Sequence, residues 1–322
     1  MIRALLLSLG IATPGVAQEP EGTAQVSAVW EAGQVQIDVS GTTHEGGRAV
    51  TDADAWHIGS ITKPMTATLA ARLVAEGAIS WETTIAEHLD AADPWADVTL
   101  RALLTHRSGM AANLPRWRAY LRPERDQYVA AMLRSRPAGA RGAFLYSNAG
   151  YTVAGAMLEA AGGAPWEILM DRHVFAPLGM TGMGFGAPEG IWGHGPRPVP
   201  PGPHADNLPA MGPAGTLHGP PAAILAFLAA HATQDPTYLP PALWAALHDP
   251  VEDYALGWGV RDDMLLHAGS NTMWFAQAII QGDKAVFVAR NAFTPRVEEA
   301  VAREALRLLN ADPLAKPEAP RP

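Results

Sequence analysis

At 322 residues the chain is long enough to bury a large core, as one domain or as two smaller ones. Its 48% hydrophobic and 17% charged residues exclude a disordered chain. A formal charge of −9 with no basic block argues against nucleic acid and anionic lipid surfaces as partners, and the absence of cysteine excludes disulfides, thiol catalysis, thiolate metal sites and lipidated cysteine.

Residues 1–17 read as an export signal: Arg3 at the start, a nearly continuous apolar run from Ala4 to Ala12, and the small residues Gly15-Val16-Ala17 for cleavage. This predicts a periplasmic or secreted protein. No run in the chain is long enough to span a bilayer. Gln25–Trp30 and Gln34–Ser40, separated by Glu31-Ala32-Gly33, predict a β-hairpin. Ala55–Ile58 reads as a short third strand. Thr62–Glu76 is helical, with Met65, Leu69, Leu73 and Val74 on one face. Leu100–Thr105, Arg125–Arg134, Asn148–Ala161 and Pro165–Phe175 are the next helices. The Pro- and Gly-rich stretch Ile191–Asn207 reads as an irregular loop, and Pro221–His231 as another helix. Strand character returns at Ala255–Val260, Met264–His267, Thr272–Gln281 and Ala285–Ala292, followed by a long amphipathic helix over Pro295–Leu309.

Strands at both ends and helices between them predict an α/β (α+β) fold: one antiparallel sheet flanked by helices, with a helical insertion beside it. The predicted organisation is a signal peptide at 1–17, one domain at 18–311 and a disordered tail at 312–322. Within the domain the sheet region takes about 24–90 and 250–311, and the helical region about 91–249.

Of 23 basic residues only Lys63, Lys284 and Lys316 are lysine. A lysine can lose its proton near neutral pH where a guanidinium cannot. Lys63 lies three residues after Ser60 in Gly59-Ser60-Ile61-Thr62-Lys63-Pro64, a spacing that shares one helix face. Pro64 belongs in a first helical turn, so Ser60 stands at or next to the helix N-terminus, where the local field favours an alkoxide or oxyanion. A buried lysine beside it makes a nucleophile–base pair. In isolation the same residues describe a helix cap and an exposed charge. Tyr146-Ser147-Asn148 opens a helix: the tyrosine can pass protons, and the asparagine can bind a substrate amide or order the lysine. His267-Ala268-Gly269 ends a short strand where a substrate backbone can approach. Each of these alone also describes a cap, a core residue or a turn.

The order Ser-x-x-Lys, Tyr-x-Asn, His-x-Gly resembles the serine β-lactamase and penicillin-recognising superfamily, within it the class C-like branch with its D-specific peptidases and family VIII esterases. Leu103–Gly109, Pro177-Leu178-Gly179-Met180, Pro213–Leu217 and Gly257-Trp258-Gly259 add to the resemblance, which runs from about Val26 to about Leu309. It implies a β-lactamase/transpeptidase-like fold and a metal-independent, cofactor-free serine hydrolase. It further implies Ser60 as the acylated nucleophile, Lys63 and Tyr146 as acid–base groups, Asn148 against the acyl side chain, His267 and Gly269 at the cleft edge, and the N–H groups of Ser60 and Ser270 as oxyanion hole.

His267 departs from the lysine that many β-lactamases of this superfamily carry there to hold the antibiotic carboxylate. This favours an esterase or D-amino-acid peptidase over a β-lactamase. Arg107 is a second departure, since a threonine or small residue is common at its position. The expected partner is a small-molecule or peptidoglycan-type acyl substrate. The competing reading is a catalytically silent protein that binds cell-wall fragments or a partner; intact Ser60, Lys63 and Tyr146 argue against it. His194 and His204, Trp192, Trp258 and Trp274, and Asp52, Asp54, Glu76 and Glu82 read as loop, core and surface residues.

Overall fold

The structure, a computed structural model, describes residues 23–195 and 197–311; the export signal at 1–17 and the tail at 312–322 lie outside the described residues. In chain order, β1 (Ala24–Glu31) and β2 (Gln34–Gly41) form the expected hairpin. After β3 (Trp56–His57), a 3₁₀ turn (Gly59–Ile61) leads into α1 (Thr62–Ala75). The middle of the chain carries α2 (Ile85–His88), α3 (Leu100–Leu104), α4 (Arg116–Ala119), α5 (Arg125–Leu133), α6 (Asn148–Gly162) and α7 (Trp166–Met170), which runs on through a π-helical turn (Asp171–Phe175). Short strands β4 (Gly184–Phe185), β5 (Gly193–His194) and β6 (Pro198–Val199) precede α8 (Gly212–Gly215), and β7 (Leu217–Gly219) follows it. The chain closes with α9 (Pro221–Thr233), α10 (Pro241–His248), β8 (Gly259–Arg261), β9 (Met264–Ser270), β10 (Phe275–Gln281), β11 (Lys284–Arg290) and α11 (Pro295–Leu309).

The main sheet is antiparallel and has six strands in the order β2-β1-β11-β10-β9-β8, so the two ends of the sequence meet where β1 pairs with β11. Both faces of its centre are covered. On β11, Ala285, Phe287 and Ala289 enter the main core, while Val286 and Val288 enter a second core beneath α11. That two-sided burial is why the strand reads as an unbroken apolar run instead of an alternating one. In α11, Val297, Val301, Ala305 and Leu309 recur at helical spacing and are buried. The helix starts with the Thr294 hydroxyl accepting the Val297 N–H at 3.2 Å and Pro295 in its first turn.

Five elements differ from their sequence-based expectation. The third strand lies outside the main sheet: β3 pairs with β7, which also pairs with β4. Helix α1 is buried on every side from Thr62 to Ala71, not along one stripe. It packs against α6, α7, α8 and α10, and its threonines satisfy their hydroxyls internally, Thr66 on the Pro213 carbonyl at 2.8 Å and Thr68 on the Pro64 carbonyl at 2.9 Å. The strand expected from Ala255 begins only at Gly259, because Gly257 bends the chain with φ +84° and its backbone rests on α1: a Cβ there would stand 2.7 Å from the Pro64 Cα. The strand expected from Thr272 begins at Phe275, because the Asn271 side chain accepts the N–H groups of Met273 and Trp274, each at 3.1 Å, and holds a turn. The Ile191–Asn207 loop carries the β5–β6 pair.

Because α1 is enclosed on all sides, it has no room to relax around a deletion. Leu69→Ala should cost about 2–5 kcal/mol, whereas Leu306→Ala, at a site 45% exposed, should stay within about 0.5 kcal/mol. Urea unfolding of the two variants checks this, and equal losses would contradict the all-round burial of α1.

Candidate active site

Ser60 sits in the 3₁₀ turn, half-buried, one turn before the body of α1. The adjoining helix places Lys63 beneath it, with Nζ 2.9 Å from the Ser60 Oγ. Lys63 is fully buried. Its other partners are the Asn148 Oδ1 and the Ala214 carbonyl, each at 2.7 Å. Asn148 opens α6, where the Ser147 hydroxyl caps the helix by accepting the Gly150 N–H at 2.8 Å. The Asn148 amide nitrogen donates to the Asn113 Oδ1 at 2.9 Å, which fixes its carbonyl oxygen toward the lysine.

These partners define the protonation pattern. The Ala214 carbonyl and the Asn148 carbonyl oxygen can only accept, so two amine hydrogens go to them. With no anion beside it, burial pushes the Lys63 pKa well below the usual 10.5. An amine that has given up its proton would present its lone pair to the remaining neighbour, the Ser60 hydroxyl. Tyr146 is shifted the other way: burial raises its pKa and its interaction with the Ser60 side chain lowers it less, leaving the phenol protonated. Lys63 Nζ is 4.8 Å from the centre of the Tyr146 ring. The arrangement can therefore take a proton from Ser60 at Lys63 and hold another at Tyr146 for delivery.

The wall opposite is β9. A Cβ on Gly269 would stand 1.9 Å from the Ile58 carbonyl oxygen and 2.8 Å from the Ser60 nitrogen, and one on Gly59 (φ +50°) would stand 2.3 Å from the Ser270 nitrogen. Only glycines permit this approach, and it brings the backbone around Ser60 and the backbone around Ser270 into direct contact. His267, one turn of the pleat away, is 6% exposed. Its Nδ1 faces the Ala268 carbonyl at 2.7 Å and its Nε2 the Tyr254 hydroxyl at 3.4 Å, so Nδ1 donates and Nε2 accepts. Burial, then the nearby Lys63, lowers its pKa to about 3. The seven site residues expected from sequence thus lie together, but Asn148 contacts the lysine and His267 has both ring nitrogens engaged by the protein.

Other contributors have no role legible in the sequence, where Arg107 stands out only as a departure. His57 is fully buried; its Nε2 donates to the Asp206 carboxylate at 2.7 Å and its Nδ1 accepts the Gly59 N–H at 3.1 Å. Asp206 also accepts from the Asn271 amide at 3.3 Å, so the proline-rich loop holds both the turn that carries Ser60 and the end of β9. His106 accepts the Leu145 N–H on its carbonyl at 2.8 Å and the Ser147 N–H on Nδ1 at 3.0 Å, bracketing Tyr146. Its ring stands 4.3 Å from that of Tyr146. Arg107 donates to the carbonyls of Gly142 and Val251, both at 2.8 Å, and pairs with Glu252 at 3.1 Å. It ties the loop before Tyr146 to the turn that carries Tyr254, which gives the departure at this position a physical role. His57, His106 and Arg107 all fall in or beside the quoted motifs; Asp206, in the loop, left no signal.

Among the described residues no group of three or more His, Asp or Glu side chains is placed to hold a metal ion, and no helix is long and apolar enough to cross a membrane. His194 is buried with Nδ1 on the Asn291 carbonyl at 2.9 Å, Trp258 and Trp274 are core residues, Trp192 stacks on His44, and Asp54 is paired with Arg48.

The sequence pattern of the Beta-lactamase family matches residues 11–311. The chain is 29% identical over 166 residues to Penicillin-binding protein 4 of Amycolatopsis lactamdurans, a match that covers 48% of this chain and 42% of that protein; it spans less than half the length of that curated relative. Among solved structures it resembles the octameric penicillin-binding protein homologue from Pyrococcus abyssi, with a TM-score of 0.77 at 21% identity over 89% of this chain and 73% of that one. It also resembles SurE, with a TM-score of 0.75 at 25% identity over 88% and 71%; SurE has been solved with D-Leu as well.

Burial lowers the pKa of His106, His231, His248 and His267. Each binds a proton more readily unfolded than folded, so their contribution to stability is complete above about pH 6.5 and is lost as pH falls toward the folded values. Urea unfolding should give a smaller unfolding free energy at pH 5 than at pH 7. Imidazole nitrogen shifts of His267 should stay those of the neutral ring down to about pH 4; a midpoint near 6.5 would contradict the buried placement.

Proposed function

Since the chain belongs to the Beta-lactamase family, whose members are serine hydrolases of the β-lactamase and penicillin-binding-protein type, we propose that it cleaves an ester or amide through an acyl-enzyme on Ser60, acting as an esterase or D-amino-acid peptidase. The observation that carries this is the fully buried Lys63 Nζ, 2.9 Å from the Ser60 Oγ and otherwise bonded only to the neutral oxygens of Asn148 and Ala214. Lys63 takes the Ser60 proton as Oγ attacks the acyl carbon. The Ser60 and Ser270 N–H groups receive the oxyanion. Tyr146, held as a phenol, protonates the leaving group as the acyl C–O or C–N bond breaks, and regains its proton from the Lys63 ammonium. A water then repeats the attack on the acyl-Ser60 ester and restores the serine.

The preference among substrates rests on His267. A carboxylate held by a cation gains a charge-assisted hydrogen bond, stronger than a neutral one by about 1.5 kcal/mol, roughly tenfold in affinity. His267 is neutral at pH 7 and offers no such anchor, so a lactam antibiotic loses that contact while an ester needs none. The similarity to SurE, solved with D-Leu, supports keeping D-amino-acid derivatives beside esters.

A fluorophosphonate probe should label Ser60 alone, as mapped by peptide mass spectrometry, and labelling should vanish in Ser60→Ala. In a panel of p-nitrophenyl esters, D-amino-acid amides and a chromogenic cephalosporin, kcat/KM should be lowest for the cephalosporin; a cephalosporin rate above the ester rate would overturn the preference. Lys63→Arg puts a guanidinium that cannot lose its proton where the base stood, and should lower kcat about 100-fold or more. The wild-type acid limb of kcat/KM should lie well below the ordinary lysine value, because protonation of the depressed Lys63 removes the base. A limb near the ordinary lysine value of 10.5 would contradict the depressed pKa of Lys63.

A further inference from the structure

The segment between Asn113 and Pro123 holds three arginines and no acidic residue, in a chain whose net charge is −9. It is built to project. Leu114 is buried, and its N–H donates to the Tyr128 hydroxyl at 3.1 Å, which anchors the base. From Pro115 to Arg122 the backbone closes on itself in a helical turn, with Arg118 and Ala119 donating to the Pro115 carbonyl, Tyr120 to that of Arg116 and Leu121 to that of Arg118. With the backbone satisfied locally, the side chains point outward. Trp117 is 65% exposed, Tyr120 88% and Leu121 71%. Arg116 and Arg118 are exposed between them; neither is ion-paired with a described residue, and the Arg118 guanidinium lies 4.9 Å from the Trp117 ring. Arg122 turns instead into a cavity of about 460 Å³ that Glu167 and Glu189 also line.

Three large apolar side chains exposed within five residues form a contiguous patch, unlike the singly scattered hydrophobics of ordinary surfaces. Two aromatic residues with polar edges, one aliphatic residue and two free guanidinium groups match the chemistry of a bilayer interface: Trp and Tyr settle at headgroup depth, Leu enters the acyl boundary and Arg meets phosphate. We propose that the Arg116–Leu121 turn docks the protein on an anionic phospholipid surface. The whole-chain charge conceals this, because electrostatic attraction to a surface acts within about a Debye length, roughly 10 Å at 0.1 M salt. A neutral glycan would stack on the two rings but would leave Leu121 and both arginines without a partner. A second copy of this acidic chain would have to bring carboxylates to the arginines and an apolar face to the rings. The segment adjoins the cleft: Asn113, at its base, is the partner of Asn148. Docking therefore presents the cleft to substrates at the lipid surface, and it stands whether or not the proposed chemistry holds.

The test is co-sedimentation with phosphatidylcholine vesicles and with vesicles that also contain phosphatidylglycerol. Binding should be at least about tenfold tighter with phosphatidylglycerol and should weaken by a similar factor at about 0.5 M salt. The combined Trp117→Ser, Tyr120→Ser and Leu121→Ser variant should lose vesicle binding while its Tm and its labelling by a fluorophosphonate in solution stay unchanged. Arg116→Gln with Arg118→Gln should keep residual binding with little salt dependence. Three results overturn the proposal: no binding to the anionic vesicles, undiminished binding by the triple serine variant, or a dimer in solution that this variant dissolves without any vesicle binding. Absence of probe labelling alongside intact vesicle binding would count against the hydrolase reading alone.

Discussion

A lysine ammonium fully out of water, with no carboxylate beside it, is costly to keep charged. The site of this protein turns that cost to use. Lys63 is surrounded by three neutral oxygens, and each comes from a different part of the fold: the nucleophile turn, the start of α6 and the last turns before β7. In the proposed mechanism, any of these moving away would admit water, favour the charged amine and weaken it as a base. Under the proposed mechanism, the burial of α1 on every side serves the chemistry as well as the core. The opposite shift of Tyr146 follows from the same low-dielectric surroundings, because burial disfavours a phenolate as it disfavours an ammonium.

The second constraint is contact between two backbones. The nucleophile turn and the end of β9 approach so closely that neither Gly59 nor Gly269 can carry a side chain. Such an approach has no interdigitating side chains to hold it, and the hydrogen bonds from His57 and Asn271 to Asp206 supply the tie from the outside. The loop that the chain devotes to this is rich in proline, which limits the conformations it gives up on folding. On the other side of the cleft, His106 and Arg107 perform a comparable service for Tyr146, one by bracketing its backbone and the other by fastening its loop to the Tyr254 turn.

His267 shows how far a residue type can mislead about its part in a site. From sequence it is a cleft-edge group weaker than lysine at holding a carboxylate. In the fold, its own strand's carbonyl and the Tyr254 hydroxyl occupy both ring nitrogens, so its contribution is to the shape and neutrality of the wall. That neutrality is the basis for expecting acyl substrates without a carboxylate to be favoured.

What the sequence determined by itself is what depends on short separations. The Ser60–Lys63 pairing follows from helix geometry over three residues, the cap at Ser147 from its own helix start, and the buried stripe of α11 from its periodicity. The strands at both ends were legible for the same reason, and their antiparallel closure followed from the need to cover apolar faces. The tertiary structure alone decided the protonation of Lys63, whose partners lie 85 and 151 residues away, and the role of Asp206, 149 residues from His57. It also decided that β3 would leave the main sheet and that α1 would be enclosed on all sides. A pKa shift and a close backbone approach depend on which groups exclude the water, and those groups are brought together by the packing of distant segments, which no local pattern of residues records.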